Sequence, residues 1–253
     1  IKLRRTKINN SNNYDLNIKI DEFSEIEKFI VLITKENQLK KVRDYSDGEK
    51  FKDINKTIKI SSNHKLLLFL SSGKVLTLDP KSLPSGKAAA KSYIELVNVG
   101  INEKLIGVFN ANKQEKIVLV TKLGKGFVSF SEKMITNQKK GKNIVNLKND
   151  DELINAHHYD NDFITLVSRN GKLLIFDINM LPILNKGSGV QLMKLKEKDF
   201  INDSILININ EGLFWNKGSK IRNLKDVEFW IGKRSQVGKK IPRLFNKNLK
   251  FIS

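Results

Sequence analysis

The 253-residue chain contains no cysteine, which excludes disulfides, thiolate metal sites and a cysteine nucleophile together. Histidine is nearly as scarce: His64, His157 and His158 are too few and too scattered for a typical zinc site. The adjacent pair, His157 and His158, would point to opposite faces of a strand and so could not easily share one metal. No apolar run approaches the roughly 18 residues of a membrane span. Leu66 to Leu70 is among the longest such runs. No long amphipathic helix is present either. Behind Ile1 there is no cleavable signal pattern, so the chain reads as a fragment of a longer cytoplasmic protein. The run Asp150-Asp151-Glu152 reads as a solvated turn, and no acid/base constellation stands out. No chemistry of its own is expected of this chain.

What the sequence has in excess is positive charge. Its 46 basic residues outnumber 27 acidic ones, a net +19 that attracts polyanions. Richness in Lys, Asn and Ile is that of an AT-biased genome, so position carries more information than the total. From Lys217 to Lys250 there are eleven basic residues and two acidic ones. Without an amphipathic helix beside it, that charge favours nucleic acid over an anionic membrane.

The organising signal is a hairpin that recurs. Each copy is an apolar run, a short turn with Gly or Asn, and a second run. Turn centres fall at Asn37, Gly73, Gly124, Gly171 and Gly218, separated by 36, 51, 47 and 47 residues. The fifth copy, Leu213 to Ile221, is the weakest. Such spacing is that of a four-stranded propeller-type blade. One small sheet cannot bury both its faces, so several must stack around an axis. The fold class is therefore all-β and propeller-like, about five four-stranded blades over residues 27–253. Single helical turns are expected at Asp79 to Leu83 and Asp177 to Leu181. The polar, turn-rich residues 1–26 read as a linker. Gly124-Lys125-Gly126 lacks the spacing and following helix of a phosphate-binding loop and reads as a hairpin turn. Trp215 and Trp230 either stack on bases or fill blade cores, and their apolar neighbours favour the core.

Several stretches resemble one family. Leu70 to Ser85 (LSSGKVLTLDPKSLPS) is similar to the second-blade hairpin and Leu-Pro-Ser loop of topoisomerase IV A subunits. Val167 to Gly189 (VSRNGKLLIFDINMLPILNKGSG) resembles the same family's fourth-blade hairpin and Lys-Gly-x-Gly segment. Val190 to Leu195 and Glu228 to Phe251, with Trp230-Ile-Gly-Lys-Arg and Gln236-Val-Gly-Lys, resemble the α-proteobacterial form. Arg4-Arg5-Thr6-Lys7-Ile8 is similar to the motif closing the preceding breakage-reunion domain. The resemblance implies a β-pinwheel, in which neighbouring blades exchange strands. It implies a duplex DNA partner, and a holoenzyme made with the rest of the A subunit plus the ATPase B subunit. It places that enzyme in the cytoplasm on the nucleoid, unlinking chromosomes and relaxing supercoils with ATP and magnesium, neither of which this fragment would hold. The strand-breaking tyrosine lies in the preceding domain, and Tyr14, Tyr45, Tyr93 and Tyr159 sit in no matching motif. Gyrase A subunits carry a Gln-Arg-Arg-Gly-Gly-Lys-Gly box in a first-blade loop. The stretch here, Arg43 to Lys52 (RDYSDGEKFK), is partly acidic with one Gly, so guiding of DNA is expected without strong chiral wrapping.

Phosphates are held by Lys and Arg, and Gly lets backbone amides approach them. The candidate DNA contacts are Lys40, Lys41, Arg43, Lys87, Lys91, Lys139, Lys140, Lys142, Lys186, Lys233, Arg234, Lys239, Lys240 and Arg243. Two other readings stand beside this one: a gyrase-type wrapping domain, and a propeller scaffold for protein partners. A scaffold would scatter Lys over faces and rim alike, whereas a DNA guide would concentrate it on the rim and inter-blade loops.

Overall fold

A computed structural model describes residues 26–44, 53–97, 99–100, 102–111, 115–148 and 150–252. The expected linker at 1–26 lies outside them except for Ile26, as do residues 45–52 of the stretch compared with the gyrase box. The described chain is strand-rich, and every named strand pairing is antiparallel. The five hairpins expected from the sequence are all present. They are β1 (Lys28–Thr34) with β2 (Gln38–Val42), and β4 (Lys65–Leu70) with β5 (Lys74–Leu78). Then come β8 (Lys116–Thr121) with β9 (Lys125–Phe130), and β12 (Phe163–Ser168) with β13 (Lys172–Asp177). The last is β16 (Leu213–Lys217) with β17 (Lys220–Leu224).

A third strand packs on the first strand of each of the first four hairpins: β3 (Ile54–Ser61), β7 (Leu105–Ala111), β11 (Leu153–His158) and β15 (Ile201–Ile207). The fourth strand comes from elsewhere. β6 (Lys91–Ser92), β10 (Lys142–Asn143), β14 (Val190–Gln191) and β18 (Lys239–Lys240) each follow one hairpin but pair with the second strand of the hairpin before it. The sheet orders are β3-β1-β2-β6, β10-β5-β4-β7, β11-β8-β9-β14 and β15-β12-β13-β18, with β16-β17 alone as the fifth blade. Strand exchange, implied by the family resemblance, is thus the rule joining each blade to the next.

The apolar runs of the first four hairpins are uninterrupted because both faces are covered. In β4, Leu66, Leu68 and Leu70 enter the core between the first and second blades. Leu67 and Phe69 of the same strand enter the core between the second and third. Ile117 and Leu119 complete that second wedge, while Val118 and Val120 face the fourth blade. Each fully buried Leu contributes about 2 kcal/mol of transfer free energy, so four such wedges hold the stack. Trp215 fills the wedge between the fourth and fifth blades, with its indole N–H donated to the Leu244 carbonyl at 3.0 Å. Trp230 is partly buried in the same wedge and donates to the Lys240 carbonyl. Both tryptophans therefore serve the core.

Helical turns cover Pro80–Ser82 and Ile178–Met180, as the sequence indicates, each capped by an aspartate: Asp79 accepts from the Lys81 amide and Asp177 from the Asn179 amide. Equivalent turns at Ser131–Met134 and Glu228–Trp230 follow the third and fifth hairpins without a side-chain cap. Before Glu228–Trp230 an aspartate stands one place earlier, Asp226, accepting from the Glu228 amide at 3.3 Å, whereas Ser131–Met134 and the short helix Tyr93–Val97 have none.

Candidate nucleic-acid interface

The third strands β3, β7, β11 and β15 pack against one another in sequence and line a cavity of about 430 Å³ on the disc axis. The exchanged strands β6, β10, β14 and β18 end their sheets on the other side, so they form the rim. The segments that lead to them carry the candidate lysines. Asp79 to Ser92 holds three basic residues against one acidic, Ser131 to Asn143 four against one, Asp177 to Gln191 one against one, and Lys225 to Lys240 five against two. In the four axial strands there are two basic residues and one acidic. The four rim segments together thus carry thirteen basic residues against five acidic ones, the axial strands two against one, with a neutral interval on the third blade.

Glycine shapes this rim locally. Gly141, Gly189 and Gly238 each immediately precede an exchanged strand with positive φ. A Cβ at those positions would meet the carbonyl oxygens of Val75, Gly126 and Leu173, at 2.8, 2.4 and 2.6 Å. Close approach to the receiving strand needs the hydrogen there.

Arg43, Lys87, Lys91, Lys139, Lys140, Lys186, Lys233, Lys239, Lys240 and Arg243 are exposed. Among the described residues, no ion pair engages any of them. The hairpin tips are basic too, but there Lys35, Lys74 and Lys122 face Asp53, Glu103 and Glu152. Three candidates are half-buried and tied to carbonyls. The Lys41 ammonium donates to Lys81 at 2.5 Å, Lys142 to Lys133 at 2.7 Å, and Arg234 Nη1 to Gln191 at 2.6 Å. A carbonyl does not neutralise charge, so each remains a cation at the rim.

Lys40 departs from the sequence expectation. It is only 3% exposed, and its ammonium donates to the Gly86 and Ala88 carbonyls at 2.8 and 2.6 Å. This lysine fastens the segment after the second hairpin to the first blade and cannot reach a phosphate. Alternation along a strand gives no warning that one lysine will turn inward. Conversely, Lys81, Lys133 and Lys225 are exposed in the same rim segments and were not among the sequence candidates, although Lys133 faces Glu132 at 3.6 Å. Position between second strand and exchanged strand is the signal that finds them.

The axial cavity differs in chemistry. His157 Nε2 lies 2.9 Å from Ser204 Oγ, whereas the His158 ring meets Phe109 edge-on with centroids 4.7 Å apart. The two rings face opposite ways, as expected from adjacent strand positions. Burial, then the charges of Lys56 and His158, lowers the His157 pKa to about 4. Burial and Lys56 also lower that of His158, opposed by Asp160. Unfolded His157 titrates near 6.5, so the unfolded chain binds the proton first as pH falls. Stability should be full above that value and decline between about 6.5 and 4, by on the order of 2 to 3 kcal/mol. Thermal melts over this window should show the decline, and His157→Gln should flatten it.

Residues 115–158 and 162–208 match the DNA gyrase C-terminal domain family, a β-propeller. The A subunit of DNA topoisomerase 4 from Rickettsia felis is 31% identical over 82% of the chain, which covers 27% of that relative. The chain belongs to the family of C-terminal domains found in gyrase and topoisomerase IV A subunits. The corresponding protein of Caulobacter vibrioides, again a topoisomerase 4 A subunit, is 29% identical over 80% of the chain and 27% of its own length. The domain thus spans about a quarter of the length of these relatives. A crystal structure of the C-terminal domain of DNA topoisomerase IV superposes with TM-score 0.74 at 23% identity, covering 85% of this chain and 72% of that one. A DNA gyrase A C-terminal domain superposes at 0.61 with 20% identity, over 89% and 80%. These likenesses bear on fold, and the all-β pinwheel is what they share.

Proposed function

We propose that this domain binds duplex DNA along its rim and guides it for strand passage by a topoisomerase IV-type enzyme. The observation that carries the reading is the distribution of charge. Thirteen basic residues against five acidic ones occupy the four segments leading to the exchanged strands, while the axial strands are nearly neutral. A scaffold for protein partners would have no reason to segregate lysine in this way. Strand breakage, the ATPase B subunit, ATP and magnesium belong, on this proposal, to the rest of a cytoplasmic, nucleoid-associated enzyme. Residues 27–253 would be its non-catalytic arm and residues 1–26 the linker. Guiding is favoured over gyrase-like wrapping because the third blade's rim segment has no net charge, Asp177 offsetting Lys186, and so interrupts the basic path.

Titration of the chain with a mixed-sequence duplex across salt concentrations tests the proposal. Log affinity should fall linearly with log salt, by about 0.9 for each phosphate neutralised, and vary little with sequence. A slope near zero would favour the scaffold. Relaxing a plasmid in its presence should trap little writhe, and a large positive writhe would favour the gyrase-type alternative.

A further inference from the structure

We propose that the fifth blade keeps a strand slot for a partner polypeptide, filled by an acidic extended segment that ends in a large apolar residue. The repeat itself defines the slot. In the first four blades the second hairpin strand receives an exchanged pair of residues, opposite Gln38 and Leu39, Lys74 and Val75, Lys125 and Gly126, and Lys172 and Leu173. The next residue inserts its N–H onto the carbonyl just before that strand: Tyr93 onto Asn37, Ile144 onto Gly73, Leu192 onto Gly124 and Ile241 onto Gly171. Each incoming segment therefore reads as two residues followed by a large apolar one, and in three cases a glycine precedes them.

β17 is likewise the second strand of a hairpin, and it has no occupant among the described residues. Lys220 pairs with Lys217 and Ile221 with Asn216, so Lys220 and Ile221 take the places that Lys74 and Val75 hold in the second blade. Val75 directs its carbonyl at the exchanged strand, as its closeness to Gly141 shows. Antiparallel alternation then turns the N–H and C=O of Ile221 outward. The fifth hairpin turns on two residues, Gly218 and Ser219, where the first four turn on three. The Ser219 carbonyl, which immediately precedes β17 as that of Gly73 precedes β5, has no backbone partner among the described residues. Ile221 is 66% exposed and Phe214, on the same face, 37%.

Charge selects the occupant. Lys217, Lys220, Arg222 and Lys225 are exposed, and no ion pair among the described residues engages them. A second copy added edge to edge would set these cations against their own kind, which is destabilising. An acidic strand complements them and satisfies the outward backbone groups as it covers Ile221. DNA would answer the charge but leave the apolar surface bare.

The probe is a labelled peptide copying Ser235 to Pro242 with Lys239→Glu and Lys240→Glu, which keeps the glycine and the isoleucine of a known incoming segment. It should bind the full chain saturably. Ile221→Pro removes one outward N–H without touching a bond to β16, and should weaken binding by at least about tenfold. The double variant Lys220→Glu with Arg222→Glu should reverse the preference, toward the unaltered lysine peptide. Absence of saturable binding to the parent overturns the proposal, as does equal affinity for the Ile221→Pro variant with an unchanged thermal midpoint. So does a double variant that retains the acidic preference. If the double variant loses DNA affinity while the parent ignores both peptides, the edge is a DNA surface instead.

Discussion

Alanine at Lys139, Lys140, Lys239 and Lys240 together should weaken duplex binding by at least about a hundredfold at 0.1 M salt and flatten the salt slope by roughly three to four units. The four contributions add. All four side chains are exposed on the rim, the first pair beside β10 of the second blade and the second pair within β18 of the fourth. Each phosphate left without its cation takes about 0.9 off the slope, whatever the base sequence. Stability should change little, since exposed surface substitutions usually stay within about 0.5 kcal/mol each. The control is Lys35→Ala with Lys74→Ala, which removes charge at hairpin tips already facing Asp53 and Glu103. That pair should leave the slope nearly unchanged. Equal loss in both variants would mean that total charge, rather than its place on the rim, drives binding.

Gly189→Ala should destabilise the domain strongly. Gly189 adopts φ +68 where the chain turns into β14, and an added Cβ would lie 2.4 Å from the Gly126 oxygen and 2.6 Å from its carbonyl carbon. Both are backbone atoms of the receiving strand and cannot swing away. Left-handed strain of about 1 kcal/mol and overpacking of about 2 kcal/mol combine to about 3 kcal/mol. In a domain of this size that lowers the thermal midpoint by about 6 to 12 °C. Gly86→Ala separates the two contributions. Gly86 has φ +59, but nothing lies within 4 Å of its Cβ direction, so only the left-handed strain remains. If both variants melt alike, close approach at the exchanged strand contributes nothing.

The hairpins were legible because their two strands are neighbours in sequence and their turns carry Asn or Gly, recurring every 36 to 51 residues. The uniform apolarity of Leu66 to Leu70 or Ile117 to Val120 also has a plain cause, burial on two faces. Exchanged strands were another matter. Lys142-Asn143 and Lys239-Lys240 are two residues long and polar, with no periodicity to read, and their partners lie in the preceding repeat. Only the family resemblance supplied the exchange. For the candidate site, the loops leading to the exchanged strands were legible because glycine and lysine coincide there. Which lysines stay exposed depends on distant carbonyls, and Lys40 shows it: the two that hold its ammonium belong to Gly86 and Ala88, more than forty positions away.

The exchange also sets a timetable for synthesis. The first sheet is complete only when Ser92 has left the ribosome, the second at Asn143, the third at Gln191 and the fourth at Lys240. Until then the newest blade has an unpaired outer edge, the kind of surface that invites association with another chain. A nascent chain therefore carries one such edge throughout elongation, passed forward from blade to blade by each arriving segment. Among the described residues it comes to rest on β17.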